Sequence, residues 1–424
     1  MLHGNSRFGA TALVEAAQEP AFLHHRIERY YRERVQETWG GRHVIWGRVP
    51  GPQSINLQSN DYLALSAHPL ILGQQLECFQ RHGATPVMSA VFLHETSAQR
   101  RLEQRIAAFV GAEDAVISQS GWCANIGLLQ SIADAKTPVY LDMFAHMSLW
   151  EGARAAGAPQ VSFFHNDPDH LEKQVQRNGP GIVVVDSVYS TNGSVCPLVD
   201  VVQVANRHGC AIIVDESHSL GTHGARGEGL VASLGLANKV HFVTASLAKA
   251  FAGRAGLITC SRHFHEYFRC ESRPAIFSSA LLPHEITRLD ATLSVIEGAR
   301  FRRQRLEINT RRLRSGLSEL GYNVADGEAQ IIGLEAGPEQ QTMVLRDALE
   351  ERDVFGSVFC APATPRNRSL VRLSVHSALS EETVERVLEV CAEIRDEVGL
   401  VKWPSTRRAA RARSNSEAST LLAA

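Results

Sequence analysis

An aspartate, a histidine and a lysine stand apart in this chain by type and setting. The apolar run 211-AIIVD-215 ends abruptly in Asp215, and His218 follows within 215-DESHSLGTHG-224. Lys249 comes later, alone among small residues in 244-TASLAKAFAGRAG-256. A lysine amine can form a Schiff base with an aldehyde, and a carboxylate can hold a pyridine nitrogen protonated. These are the two requirements of pyridoxal phosphate (PLP) chemistry, in which the ring acts as an electron sink. Singly, Lys249 reads as a surface lysine and Asp215 as a helix N-cap. With Ser246 in register, the pair points to a Schiff-base site.

Other residues fit around that site. His218, one turn beyond Asp215, suits a hydrogen bond to the cofactor's phenolic oxygen, although a satisfied core histidine is the alternative. His146 precedes an amphipathic stretch in 142-DMFAHMSLWEGAR-154 and could stack on a flat heteroaromatic ring or cap the helix. In 118-SQSGWCANIGLLQ-130, Ser120 and Gly121 stand directly before a helical pattern. Helix N-termini offer free N–H groups and a positive dipole end, which suits a phosphate. Ser246, Ser278 and Ser279 are further hydroxyl donors. Arg372 interrupts an apolar strand in 370-LVRLSVHSALSEE-382. If buried it needs an anionic partner, either a structural carboxylate or a substrate carboxylate clamped bidentately.

The elements that would position these groups are legible. Helical segments alternate with the apolar runs 114–118, 138–142, 181–187, 211–215, 240–246 and 256–260. Strands without polar alternation are buried on both faces, as in a parallel α/β sheet. Ligands of such sheets sit beyond the strands' carboxyl ends, where several of these runs carry Asp or Ser. The expected fold is α/β, a mostly parallel sheet in a large domain with a smaller α+β C-terminal domain. The expected divisions are a helical arm at 1–53, a large cofactor domain at 54–290, a small domain with its linking helix at 291–400, and a disordered basic tail at 401–424. The linking helix is expected as one long stretch over 284–320.

Composition bounds the rest. Lys+Arg 43 against Asp+Glu 45 gives a net charge of −2, so nothing points to nucleic acid. The eight cysteines are scattered without CxxC or zinc-type spacing, which fits a reducing compartment and no metal. No apolar run reaches the ~18 residues of a membrane span, and no secretory signal is visible, so a cytoplasmic protein is expected.

The motifs together resemble the α-oxoamine synthases, PLP enzymes of fold type I. The resemblance spans about residues 54 to 399 and rests on SNDYLALSAHP, SQSGWCAN, the DxxxHxS element at 142–148, VYSTNG, DESHSLGTHG, TASLAKAFAG, IFSSALLP and VRLSV. Within the family the wording is most similar to the branch that makes quorum-sensing α-hydroxyketone signals. The family's Gly-rich, Arg-containing loop reads 85-TPVMSAVFLHE-95 here, without arginine, and 190-STNG-193 replaces the usual SMDG.

The resemblance implies that Lys249 bonds PLP covalently, that Asp215 pairs with the pyridine nitrogen and that His146 stacks on the ring. It places His218 and Ser190 near the phenolic oxygen. It gives the phosphate to Ser120, Gly121, Trp122 and Ser246, and Ser278 and Ser279 to the phosphate of a partner subunit in a homodimer with composite sites. Arg372 binds the amino-acid carboxylate, and Asn60 and Tyr62 line the substrate pocket. The implied reaction is a decarboxylative condensation. A small donor, 2-aminobutyrate or S-adenosylmethionine, joins a medium- or long-chain fatty acyl-CoA, releasing CoA and CO2 and leaving an α-aminoketone precursor of the signal. Another α-oxoamine synthase using glycine, alanine or serine is the alternative. A silent PLP-fold binding subunit is a third reading, against which the retained Lys249, Asp215 and His218 argue.

Overall fold

The computed structural model describes residues 19–81 and 87–408. The apolar runs fold as strands: β1 (Ile55–Asn56), β2 (Asp114–Ser118), β3 (Val139–Asp142), β4 (Gln160–Phe163), β5 (Ile182–Asp186), β6 (Ala211–Asp215), β7 (Phe242–Ser246), β8 (Gly256–Cys260), β9 (Ile331–Gly337), β10 (Val354–Phe355), β11 (Ser357–Phe359) and β12 (Ser369–Ser374). Each of the six expected runs is a strand, with ends moved by at most two residues. Strand β4 was not foreseen, because QVSF is an edge strand with Phe163 alone fully buried and carries no apolar run.

The large sheet has the order β2-β8-β7-β6-β5-β3-β4. From β7 through β4 the strands are parallel, and β8 runs antiparallel to both β2 and β7. Successive residues of β5 and β6 feed opposite faces, as the pleat requires. Val183, Val185, Ile212 and Val214 pack with Leu198, Val201 and Val202 of helix Leu198–Arg207. Ile182, Val184 and Ile213 pack on the other face with Leu128 of helix Gly121–Ile132 and Leu149 of helix Met147–Ala155. Each such aliphatic side chain contributes roughly 1.5–3 kcal/mol on burial. The sheet is therefore held rigidly from both sides, and its carboxyl edge is a firm base for chemistry.

The smaller domain is the antiparallel sheet β11-β12-β9 with helices Glu339–Glu350 and Glu381–Glu393. The linking stretch is not one helix. Pro283–Gly298 and Arg300–Glu319 are separated at Ala299, whose φ −84° and ψ 31° leave the helical region. The Ile296 carbonyl accepts the Ala299 N–H at 3.0 Å and the Arg303 guanidinium at 2.7 Å, so both sides of the break are tied to one oxygen.

The N-terminal arm belongs to the small domain rather than standing apart. Arg34 and Trp39 both bond Glu339, at 2.9 and 2.7 Å, and β1 pairs in parallel with β10. The start of the segment expected to be disordered is folded too. Trp403 is buried edge-on against Tyr322 at 5.7 Å, and its indole N–H donates to Val398 O at 2.9 Å. A tryptophan that can both bury its ring and satisfy its N–H orders the chain around it; residues 409–424 lie outside the described residues.

Candidate active site

Strand register brings the polar termini together. Asp186 and Asp215 are paired positions at the ends of neighbouring parallel strands, and Asp215 is in turn opposite Thr244. Helix Gly121–Ile132 begins beside β7. A Cβ on Gly121 would lie 2.7 Å from Ser246 Cβ and 2.9 Å from its Cα, so glycine is what lets the helix start there. The Ser120 hydroxyl caps it by accepting the Cys123 N–H at 3.1 Å. Ser120, Gly121, Trp122 and Ser246 all line a cavity of about 730 Å³. A helix start with small hydroxyl residues around it is a cradle for a phosphate.

Asp215, Asn60, His146, Ser190, His218, Lys249 and Arg372 line the same cavity. Asp215 is only 4% exposed. One carboxylate oxygen accepts Asn125 Nδ2 at 2.8 Å, and the other accepts the Ser217 N–H at 2.8 Å. Asn125 also donates to Ser148 Oγ at 2.9 Å, and Ser148 Oγ lies 2.7 Å from His146 Nδ1. His146 thus caps its helix and is tied through two side chains to Asp215. Burial lowers its pKa, with Asp215 opposing. A neutral ring fixed in this way can lie against a flat cationic heterocycle.

The opposite wall is a chain of polar side chains. His218 Nδ1 lies 2.7 Å from the Tyr62 hydroxyl, which is 3.1 Å from Asn60 Oδ1. Burial first, then Lys249 and Arg372, hold His218 well below the usual histidine range. The imidazole is therefore neutral, with Nδ1 fixed against the Tyr62 hydroxyl. Tyr62 does not itself line the cavity; it orients His218.

Arg372 is 5% exposed and has no carboxylate bonded to it among the described residues. Nη1 donates to Ser190 O at 3.0 Å, Nη2 to Asn60 Oδ1 at 3.0 Å, and Nε is buried without a partner. Phe359 lies under its guanidinium at 4.5 Å. A buried cation with an orphan donor at the wall of a cavity is arranged for an anion. Burial, then Arg372, holds the Lys249 amine below the usual lysine range, with Asp215 opposing. The neutral amine is the nucleophilic form that bonds an aldehyde and accepts a proton. An arginine for a carboxylate, a lysine for an aldehyde, an aspartate for a ring nitrogen and a helix start for a phosphate are the donor set that fits PLP and an amino acid.

Ser278 and Ser279 are not brought into this cavity. The Ser278 hydroxyl is held by the Pro274 carbonyl, and Ser279 bridges Ser89. Sequence reasoning missed Asn125, Ser148 and Asp186. Asn125 and Ser148 lie inside motifs already singled out, one turn past Gly121 and two residues past His146. Asp186 ends a strand as Asp215 does. Burial and Asp215 push its carboxyl well above the usual carboxylate range. No group of three His, Cys, Asp or Glu side chains among the described residues could hold a metal ion.

Comparison with known proteins agrees with this geometry. The model of the family "Aminotransferase class I and II" matches residues 52–390. The CAI-1 autoinducer synthase of Vibrio campbellii is 46% identical over 88% of this chain and 95% of its own length. The 8-amino-7-oxononanoate synthase of Symbiobacterium thermophilum is 30% identical over 83% of this chain and 91% of its own. A solved structure of SPT with PLP superposes with a TM-score of 0.77 at 26% identity, covering 82% of this chain and 88% of that one. Fold, cavity and relatives agree: the chain belongs to the α-oxoamine synthases, fold-type-I PLP enzymes that condense an amino-acid-type donor with an acyl group to give an α-aminoketone.

Proposed function

We propose that the donor is 2-aminobutyrate or S-adenosylmethionine, that the acyl group arrives as a medium- or long-chain fatty acyl-CoA, and that the α-aminoketone is the precursor of an α-hydroxyketone autoinducer. The observation that carries this reading is the 46% identity to a CAI-1 autoinducer synthase across nearly its full length. The loop at 85–95 supports it. Thr85 and Pro86 lie outside the described residues, and Val87 to Glu95 contain no arginine for a short acidic acyl group. Val87 and Phe92 are instead exposed apolar side chains.

Bound PLP supplies the sink for the electron pair left at the donor's Cα. The chain's residues do the rest. Arg372 clamps the donor carboxylate and so sets which Cα bond faces Lys249. Lys249 would hold the cofactor, and its amine is the group placed to move the Cα proton. Asp215 would pair with the ring nitrogen, and His146 would cover one ring face. His218 and Ser190 would hold the phenolic oxygen, while Ser120, Gly121, Trp122 and Ser246 would hold the phosphate. The described part of this loop, Val87 to Glu95, does not line this chain's own cavity. We assign it, with Ser278 and Ser279, to the second site of a homodimer, where Met88, Val91, Phe92 and Leu93 line the acyl channel. Eight cysteines scattered without CxxC spacing fit a cytoplasmic enzyme.

The test is product mass spectrometry from a panel of amino acids and acyl-CoAs. Each buried CH₂ contributes about 0.8 kcal/mol, so eight further methylenes offer at most roughly 6 kcal/mol. Decanoyl- or dodecanoyl-CoA should exceed acetyl- and succinyl-CoA in kcat/KM by at least about 100-fold. Equal or better efficiency with the short acyl groups overturns the proposal and leaves the family assignment standing.

A further inference from the structure

Behind the cavity wall lies a second line of polar side chains that the reaction as described does not use. Asp142, fully buried at the end of β3, accepts His165 Nδ1 at 2.9 Å through one oxygen and the Asn166 N–H at 2.9 Å through the other. His165 Nε2 lies 2.9 Å from Ser194 Oγ. Ser194 Oγ is in turn 2.9 Å from Asn192 Oδ1, and the Ser194 N–H donates to that same oxygen at 3.1 Å. The ring is fixed in position as well as in hydrogen bonding. It stacks on Phe144 at 4.3 Å and 19° and meets Tyr189 edge-on at 4.4 Å.

Asp, His and Ser in this order and at these distances could be mistaken for a nucleophilic triad. Ser194 is 4% exposed and does not line the main cavity, so no acyl group can reach its hydroxyl. What the line does reach is the turn 189–193. Asn192 is on that turn, the Tyr189 N–H donates to Ser194 O at 2.9 Å, and Asn166 Nδ2 grips the next residue by donating to Val195 O at 2.9 Å. The same turn presents the Ser190 carbonyl that takes Arg372 Nη1 at 3.0 Å. Arg372 has two anchors, Ser190 O and Asn60 Oδ1, and no ion pair. A guanidinium held by two neutral acceptors is aimed by whatever holds those acceptors still.

We propose that His165, bridging Asp142 and Ser194, is a positioning residue for the donor carboxylate: it fixes the 189–193 turn, and the turn aims Arg372. One ring nitrogen faces the Asp142 carboxylate and the other the Ser194 hydroxyl, which donates to Asn192 Oδ1 as the Ser194 N–H does. This rests on the reading of Arg372 as the carboxylate clamp.

The experiment uses the PLP-loaded enzyme with 2-aminobutyrate and decanoyl-CoA varied in turn, and reads the donor Kd from absorbance titration beside KM and kcat. His165→Phe keeps the stack on Phe144 and removes both ring nitrogens. The donor Kd and KM should rise roughly tenfold, the loss expected when a buried hydrogen-bonded link is removed. The acyl-CoA KM and the PLP content should stay as they are. Asp142→Asn retains an acceptor for Nδ1–H and should show a clearly smaller rise. Arg372→Ala should raise the donor KM further, and adding His165→Phe to it should then change nothing. An unchanged donor Kd in His165→Phe, an equal rise in both KM values, or a full effect in the Arg372→Ala background each overturns the proposal. An Arg372→Ala enzyme with normal donor KM removes the clamp, and the proposal with it. If His165→Phe does not fold, Ser194→Ala breaks the same line one link later and is read in the same way.

Discussion

Replacing Lys249 by alanine should abolish turnover by at least about 10³-fold while leaving the fold intact, since its loop is held by backbone bonds such as Ala252 N to Lys249 O at 2.8 Å. Mass spectrometry of products and far-UV circular dichroism check the two halves of that statement. The lysine also carries a pH signature. Its pKa is lowered by burial and by Arg372, so the neutral amine is present below the pH at which an ordinary lysine loses its proton. The rate at which apoenzyme recaptures PLP should therefore rise with pH on a limb displaced to the acid side of 10.5. Arg372→Leu removes one lowering charge and should move that limb to higher pH; an unmoved limb would show that burial alone sets it. Asn125→Ala leaves one Asp215 oxygen without its 2.8 Å donor. It should cost about 1–3 kcal/mol in stability and slow turnover, whereas a surface cap would show neither. That Lys249, Asp215 and Arg372 belong to one cavity could be reasoned from the sequence because each is an unusual residue in its setting. Asn125 and Ser148 could not, because their meaning lies in a line of hydrogen bonds between three separate elements.

Among the elements, the turn after β6 stores a dependence on pH. Glu216 is fully buried, and Oε1 accepts the Val231 N–H at 2.9 Å and the Ser219 hydroxyl at 3.1 Å. Burial raises its pKa from 4.5 to about 7. A carboxyl raised on folding stabilises fully below its unfolded pKa, and that contribution is lost as pH rises through the folded one. The wild type should lose on the order of 2–3 kcal/mol between about pH 4.5 and 7 from this group alone. Denaturant melts of Glu216→Gln over the same range should show a flatter profile than wild type; parallel profiles would disprove it. The elements also mark the limits of reading by pattern. Buried strands announce themselves by Ile and Val runs, whereas the break at Ala299 has no proline and no apolar interruption. Arg303, four residues on, reaches back across it to the buried Ile296, whose carbonyl the Ala299 N–H also bonds.

At the scale of the whole molecule, exposed apolar side chains cluster near the residues assigned to a second site. Phe277 is 83% exposed and Val87 73%, and the strand bridge Ser89–Ser279 joins their two segments. Sedimentation should give a homodimer at assay concentration, and an active monomer would refute composite sites. The α/β plan could be read from the alternation of strands and helices. The order of strands and the placement of the arm could not, since both depend on contacts between residues far apart in the chain. That placement has a temporal consequence. Arg48 N–H bonds Glu350, 302 residues away, and β1 finds its neighbour only in β10. At ~5–20 residues per second on the ribosome, the arm emerges roughly 15–60 s before the surface it needs exists. Until then Trp39 and Val44, both buried in the finished fold, are a nascent hydrophobic segment without a home. The small domain is thus the last part to close, and a ribosome-bound chain stalled short of Glu350 should leave the arm open to protease while the large sheet is already resistant.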